Sequence, residues 1–146
     1  MMAKVIFCTL PLTGFIQPDI VTWQFSAKHT GAAQYELHLT ATVESPWHIY
    51  SPSSIADAAF PTRIHFNKSA LVIISGPVKE QGKMINKYEE VYDGTVKYFE
   101  GTVDFIQTVK VKPEVKTIVS GTVEYMVCKE DKCLPPRKVP FTININ

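Results

Sequence analysis

The sequence shows no strong bias of charge and no long uninterrupted hydrophobic run. Its 15 Lys and Arg residues nearly balance its 14 Asp and Glu residues, which leaves a net charge of +1. This balance argues against a nucleic-acid-binding protein, which would carry a basic patch, and against a disordered acidic chain. The apolar run over residues 5–16 is interrupted by Thr, Pro and Gly, and it is too short to span a bilayer.

Cysteine is also scarce, with three residues in a chain of 146. A four-cysteine metal site is therefore excluded, and a Cys–His nucleophilic enzyme has no support because no pattern places a histidine beside a cysteine. We expect neither a metal nor a cofactor. No two histidines have the paired spacing of a Cys2His2 zinc site; the four histidines are His29, His38, His48 and His65.

The N-terminal residues 1–17 have the pattern of a secretory leader, with one Lys ahead of a short apolar stretch. The cleavage site is poor, because Phe15 and Ile16 stand where small residues are expected. A first strand or a disordered leader of a cytosolic protein is the alternative. We expect an exported protein with one domain over residues 18–146. Loss of Cys8 with the leader would leave an even pair of cysteines, which in an exported protein predicts a disulfide.

Clear helical periodicity is missing, and the best candidate is a helix of at most two turns over residues 53–60. Alternating apolar and polar residues instead recur between turn signals, which predicts an all-β protein. We expect an immunoglobulin-like antiparallel β-sandwich of about eight or nine strands. The polar residues 79–95 are predicted to form a long loop, and such loops often carry function. Candidate strands cover residues 20–27, 35–44, 45–54, 62–67, 70–76, 96–101, 102–111, 118–128 and 139–145.

Two cysteines lie in the segment "EYMVCKEDKCLPPRKVPF", residues 124–141. If "KEDK" forms a hairpin loop, Cys128 and Cys133 are directly opposed, at a Cα distance that permits a disulfide. Alternation along the preceding strand assigns Val127 to the core face and Cys128 to the outer face. Both sulfurs are therefore expected to be exposed near the hairpin tip. The following "LPPR" is expected to interrupt the ladder as an edge or a bulge, because proline lacks an N–H donor.

The short loop between the cysteines bears on whether their disulfide is structural. Closing so small a loop removes only about 2 kcal/mol of chain entropy from the unfolded state. A sandwich core of this size does not need such a contribution. An exposed disulfide in a short loop is better suited to exchange with other thiols. A passive surface disulfide remains the alternative.

Three segments together resemble the N-terminal periplasmic domain of the thiol:disulfide interchange protein DsbD family. "GTVEYMVCKEDKCLPPRKVPFTI", residues 121–143, resembles the end of that domain, where a strand leads into a loop between two cysteines and then a double proline. "PWHIYSP", residues 46–52, is similar to the aromatic segment ahead of the site. Residues 88–111 are similar to the cap loop and the strands behind it. The resemblance covers most of residues 35–146.

The resemblance implies an immunoglobulin-like domain in which Cys128 and Cys133 cycle between dithiol and disulfide. Such domains accept electrons from a membrane-embedded thiol transporter and pass them to thioredoxin-like periplasmic proteins, as a protein-disulfide reductase-like component. It also implies that a cap loop shields the cysteines until a partner docks, and that two aromatic positions line the site. The cap residues are Glu89, Glu90, Val91 and Tyr92, and the lining residues are His48 and Tyr50.

Three features differ from that family. Val91 stands where the cap commonly presents a Phe, although Tyr88 or Tyr92 is a possible substitute. The loop between the cysteines is shorter than in the better-known members. The sequence also contains no membrane conduit and no thioredoxin-like domain, so a separate membrane protein supplies the electrons, or the chain is an excised or stand-alone module.

A second function of a different class stays open. A non-catalytic β-sandwich could bind a glycan or a protein and carry a purely structural disulfide. An aromatic platform of Tyr88, Tyr92, Tyr98 and Phe99 would serve that role. The redox potential of the cysteine pair separates the two hypotheses, because structural disulfides have potentials below about −300 mV.

Overall fold

Two antiparallel β-sheets face each other in the structure, a computed structural model that describes residues 19–54, 60–130 and 132–145. Seven strands form one sheet and three form the other, so the predicted immunoglobulin-like antiparallel β-sandwich is confirmed. The predicted leader, residues 1–17, and most of the short helix predicted over residues 53–60 lie outside the described residues.

The described residues form ten strands and one 3-10 turn, against the eight or nine strands predicted. The nine candidate strands become ten because the one predicted over residues 118–128 is broken in two and a two-residue strand follows it, while those predicted over residues 96–101 and 102–111 form the single strand Gly94–Val111. In this part of the chain no helix has the length and apolar character needed to cross a membrane. The strands are β1 (Val21–Gly31), β2 (Gln34–Val43), β3 (His48–Tyr50), β4 (Arg63–Phe66), β5 (Val72–Glu89), β6 (Gly94–Val111), β7 (Thr117–Tyr125), β8 (Val127–Lys129), β9 (Lys132–Cys133) and β10 (Arg137–Ile145).

The larger sheet is organised around the long strand β6. One edge of β6 pairs with β5, and the other edge pairs with β2 along its C-terminal half and with β3 near its start. Strand β1 extends the sheet beyond β2, whereas β8 and then β9 extend it beyond β3. The smaller sheet has the order β10-β7-β4. The short strands β3, β8 and β9 therefore lie side by side with the start of β6.

The main core lies between the two sheets and follows from alternation along the strands. Leu39 of β2 and Phe105 of β6 are both 0% exposed, and their neighbours along each strand point the other way. They belong to the same cluster as Val123 of β7 and Phe141 of β10. Each large apolar side chain buried in this way contributes about 1.5–3 kcal/mol relative to an exposed one.

The prediction that residues 79–95 form a long loop is wrong. Strand β5 continues to Glu89, which pairs with Gly94 across a hairpin. The sequence concealed this strand because β5 is an edge strand that pairs with β6 on one side, and many of its residues are exposed. Two irregularities in register, between residues 75 and 79 and between residues 82 and 84, disturb its alternation further.

Candidate functional site

The two cysteines close a short hairpin formed by β8 and β9. Cys128 and Cys133 are directly opposed in the ladder and joined by a disulfide, with Cα atoms 4.1 Å apart. The direct opposition and the disulfide expected from the sequence are therefore present. The loop is tighter than predicted, because Lys129 and Lys132 also pair and leave two residues between the strands. Glu130 has a φ of 50°, in the left-handed region that tight hairpin turns use.

The chain that leads to this hairpin changes sheets at Met126. Strand β7 ends at Tyr125 in the smaller sheet, and β8 begins at Val127 beside β3 in the larger sheet. The prediction treated residues 118–128 as one strand, but its assignment of Val127 to the core face and of Cys128 to the outer face holds across the break. Val127 and Cys128 are 3% and 0% exposed. The prediction that both sulfurs are exposed is therefore wrong for Cys128.

After the hairpin, the chain returns to the smaller sheet. The backbone N–H of Leu134 donates to the carbonyl of Val127 at 3.0 Å, and β10 then begins at Arg137 beside β7. The interruption predicted at "LPPR" is present at this point. Its cause is a change of sheet rather than a bulge within one ladder.

A row of side chains crosses the outer face of the larger sheet at the hairpin. His48 of β3 is directly opposed to Cys128, which is directly opposed to Cys133. Directly opposed residues of antiparallel strands point to the same face, and Tyr50, two residues after His48, points there too. Tyr50 is in turn opposed to Tyr98 of β6. The intervening residues of these strands point to the other face, into the main core.

Cys128 is buried on this outer face because a second apolar cluster covers it. The residue is 0% exposed, whereas Cys133 is exposed. The disulfide therefore joins a sequestered sulfur to an accessible one. The second cluster, which is separate from the main core, consists of the buried residues Tyr50, Val96 and Cys128 with Tyr98 and Met126 packed against them.

The β5–β6 hairpin turns beside this row and carries the residues predicted to form the cap, Glu89, Glu90, Val91 and Tyr92. Glu90–Tyr92 make a single 3-10 turn, and Asp93 closes it with a φ of 46°. The Tyr88 hydroxyl donates to Asp93 Oδ1 at 2.5 Å, and Lys87 Nζ lies 3.1 Å from Glu89 Oε1. The first contact ties the end of the turn back to β5, whereas the second lies within β5 itself.

A cleft of about 340 Å³ lies between the cap and the cysteine hairpin. Of the eight residues named as the site from the sequence, six line this cleft, while Glu90 and Cys128 do not. Val91 is 87% exposed, so the cap leaves Cys133 accessible rather than sealed. The lining residues are His48, Tyr50, Lys87, Glu89, Val91, Tyr92, Val96, Tyr98, Glu130 and Cys133.

The sequence argument did not assign four of these lining residues to the site: Lys87, Val96, Tyr98 and Glu130. Lys87 is directly opposed to Val96, and Glu89 and Tyr98 each lie two residues further along the same strands. The side chains of Lys87, Glu89, Val96 and Tyr98 therefore point to one face of the sheet. For Lys87 the signal was the alternation of β5, which was lost when residues 79–95 were assigned to a loop. Val96 and Tyr98 lie in the strand predicted over residues 96–101, but its partner β5 was missing from the prediction.

Burial is the largest of the influences on the pKa of His48. It lowers the pKa of His48 below the ordinary value of 6.5; the carboxylates of Glu100 and Glu89 act in the opposite direction, and Lys87 lowers the pKa further. A lowered pKa keeps the imidazole neutral at about pH 7. A neutral imidazole has one nitrogen that can donate and one that can accept a proton.

Ring packing fixes the position of His48 and Tyr50. The His48 ring centroid lies 4.3 Å from that of Tyr98 and 5.3 Å from that of Tyr50, the latter edge-on. Burial also raises the pKa of Tyr50 to about 12, with further contributions from Tyr92, Glu89 and Tyr98. The Tyr50 hydroxyl therefore remains protonated and uncharged through the physiological range.

The rest of the described structure has fewer groups that could take part in a reaction. Among residues 19–54, 60–130 and 132–145, no three His, Cys, Asp or Glu side chains converge as they would around a metal ion. A larger cavity of about 520 Å³ lies between the starts of β5 and β7, lined by apolar, hydroxyl and amide side chains and Lys68. It contains no cysteine, histidine or acidic residue, so the smaller cleft is the candidate site.

Comparison with known proteins bears on the family and the fold of the chain. The family described as "Thiol:disulfide interchange protein DsbD, N-terminal" matches residues 13–144. The crystal structure of the Neisseria meningitidis DsbD N-terminal domain in the reduced form matches with a TM-score of 0.57 and 13% sequence identity, over 90% of this chain and 91% of that chain. At this identity the structural match supports the fold alone. No curated protein sequence matches the chain.

Proposed function

The chain belongs to the family of DsbD N-terminal domains, and on this basis we propose that it is a periplasmic thiol–disulfide exchange module. It accepts electrons from a membrane-embedded thiol transporter and passes them to thioredoxin-like periplasmic proteins. One observation carries the proposal: the Cys128–Cys133 disulfide has one fully buried end and one exposed end that lines a cleft.

In the first half of the cycle, the incoming thiolate attacks Cys133, because that residue lines the cleft while Cys128 is buried. A bond forms between the partner's sulfur and Cys133, and the bond to Cys128 breaks with the electron pair left on Cys128. The partner's second thiolate then attacks its own sulfur in the mixed disulfide and releases Cys133. Two partner thiols become a disulfide, and the domain's disulfide becomes a dithiol.

In the second half of the cycle, the same sulfur faces the electron acceptor. The thiolate of Cys133 attacks the disulfide of a thioredoxin-like protein and forms a new mixed disulfide. Cys128 then attacks Cys133, which restores the Cys128–Cys133 bond and releases the partner as a dithiol. Two electrons pass to the partner in each turn, and no further reactant is needed.

The cap and the aromatic rings act on access to Cys133. Val91 and Tyr92 form one wall of the cleft, and His48 and Tyr50 form part of the other lining. A partner therefore presents its cysteine on a segment narrow enough to enter between the cap and the hairpin. Because Val91 is smaller than the Phe that this family commonly has there, small thiols are expected to reach Cys133 as well.

Trapping of covalent adducts tests the proposal. Cys128→Ser leaves the exposed thiol without its resolving partner, so it is expected to accumulate mixed disulfides with thioredoxin-like proteins in a periplasmic extract. Cys133→Ser leaves a buried thiol and is expected to trap little, and the double Ser variant is the control. Absence of adducts from both single variants would leave the exchange function without support.

The redox potential of the pair provides an independent measurement. The oxidised and reduced forms are equilibrated with glutathione buffers and quantified by mass after alkylation. A potential in the range of periplasmic exchange proteins is expected, because one sulfur is accessible to attack. A value far below about −300 mV would instead indicate a structural disulfide and favour the binding-module alternative.

A further inference from the structure

Exchange at Cys133 requires Cys128 to change between thiol and thiolate. How Cys128 loses and regains its proton is an inference that rests on the proposed function and deepens it. Whenever Cys133 is attacked, Cys128 departs as a thiolate, and whenever Cys128 resolves a mixed disulfide it first loses its proton. Cys128 is 0% exposed and lies in an apolar cluster. Such surroundings disfavour a thiolate. A neighbouring group that takes up and returns this proton would lower the barrier in both directions.

His48 is the side chain placed to do this. It is directly opposed to Cys128, and opposed residues bring their Cβ atoms to within about 4.5–5.5 Å on the same face. Tyr50 shares that face, but its phenol has a pKa of about 12, so it is already protonated at neutral pH and cannot accept the proton of Cys128. Lys129 alternates to the other face, where its Nζ lies 4.7 Å from the centroid of the Trp47 ring.

We propose that His48 is the proton-transfer residue of Cys128. When the mixed disulfide at Cys133 is resolved, the neutral imidazole accepts the thiol proton of Cys128. The thiolate then attacks Cys133, the Cys128–Cys133 bond forms, and the partner's sulfur leaves with the electron pair of the broken bond. In the reverse direction, the imidazole, which lines the open cleft, takes a proton from water and delivers it to Cys128 as a partner's thiolate displaces Cys128 from Cys133.

The charged groups around His48 allow it both to accept a proton from Cys128 and to donate one to it. Glu100 of β6 and Glu89 of β5 favour the imidazolium, Lys87 of β5 opposes it, and burial outweighs the carboxylates so that the pKa of His48 is lowered. The imidazole is therefore neutral when it must accept a proton, and the carboxylates stabilise the cation once it forms. Glu130 adds a further carboxylate to the same cleft. The other titratable groups facing the ring are Tyr50, Tyr98, Cys128 and Cys133.

The reaction of the reduced protein with 5,5′-dithiobis(2-nitrobenzoate) separates the two chemical steps. Attack by Cys133 on the reagent releases one thionitrobenzoate and leaves a mixed disulfide. Attack by Cys128 on that mixed disulfide releases the second, so stopped-flow absorbance yields two phases. Cys128→Ser, which cannot resolve the mixed disulfide, identifies the first phase.

His48→Phe keeps an aromatic ring against Tyr98 but cannot carry a proton. At about pH 7 it is expected to slow the second phase by at least about tenfold more than it slows the first. The difference should narrow at higher pH, where hydroxide deprotonates Cys128 directly. His48→Gln is expected to behave in the same way. His29→Phe is the matched control and should give wild-type rates for both phases. The native His29 ring is on β1, with its centroid 4.8 Å from that of Tyr35 on β2.

Two results would overturn the proposal. Both His48 variants could release the second thionitrobenzoate at the wild-type rate, or they could slow both phases equally at every pH, which would indicate a structural role. The probe reaction needs no protein partner. A failure to trap thioredoxin-like proteins would therefore count against the proposed function, and an unchanged second phase would count against His48.

Discussion

The disulfide joins Cys128, which is completely buried, to Cys133, which is exposed in a cleft. The asymmetry arises because strand β8 is covered on its outer face by the second apolar cluster, while β9 is the last strand of its sheet. A nucleophile thus meets one sulfur before the other. The order of events in exchange follows from this difference in access.

Alkylation of the reduced protein measures that difference. Iodoacetamide is expected to modify Cys133 at least about tenfold faster than Cys128, because thiol reactivity follows exposure and thiolate fraction. Timed quenching and mass spectrometry of the peptides give both rates. In denaturant the two rates should converge, which serves as the control. Equal rates in the folded protein would contradict the protection of Cys128.

Val91→Phe tests whether the cap controls access to Cys133. Val91 lines the cleft and is 87% exposed, so a larger ring there has room to fold over the opening. Reduction of the disulfide by dithiothreitol is expected to slow several-fold, with little change in the free energy of unfolding. Val115→Phe, at an apolar position 37% exposed and away from the cleft, is the matched control. An unchanged rate for Val91→Phe would show that the cap does not gate small thiols.

Much of the strand framework could be predicted from the sequence, because a strand with one buried face has an alternating pattern. Strand β2, Gln34–Val43, lies within one residue of the strand predicted over 35–44. Strand β10, Arg137–Ile145, contains the predicted residues 139–145. Strand β5 could not be recognised in full, since much of it is exposed and its alternation is interrupted.

The site was predictable where its geometry is local. Direct opposition of Cys128 and Cys133 follows from the short spacing between them. The burial of Cys128 does not follow from that spacing, because it depends on residues distant in sequence, such as Tyr50 and Val96. It also depends on a change of sheet at Met126 that has no local signal. The pairing of His48 with Cys128 is likewise a contact between distant strands.

The raised pKa of Tyr50 predicts a loss of stability at alkaline pH. Its folded pKa of about 12 lies above the ordinary 10.0, so the folded state holds the proton more tightly than the unfolded state. The resulting stabilisation is fully present below pH 10 and is lost as the pH rises towards about 12. Urea unfolding of the oxidised protein across this range, compared with Tyr50→Phe, isolates the contribution. The variant should lose less stability than the wild type; parallel curves would contradict the assignment.

Gly121 is a point at which the sandwich tolerates no side chain. A Cβ there would lie 2.1 Å from the backbone oxygen of His65 and 2.7 Å from Cζ of Phe141. Strand β4 cannot retreat freely, because Phe66 pairs with Gly121 in the ladder. We expect Gly121→Ala to lower the free energy of unfolding by about 3 kcal/mol or more, measured by urea denaturation with the disulfide intact.

Gly31→Ala is the matched control for that substitution. A Cβ at Gly31 would make an ordinary contact of 3.5 Å with Gln34, and Gly31 has no positive φ to strain the new residue. Its free energy of unfolding should change by less than about 1 kcal/mol, because alanine also loses less chain entropy than glycine on folding. A large loss at both positions would reflect a general sensitivity of the strands to alanine. A small loss at Gly121 would mean that β4 and β7 do not approach as closely as their ladder requires.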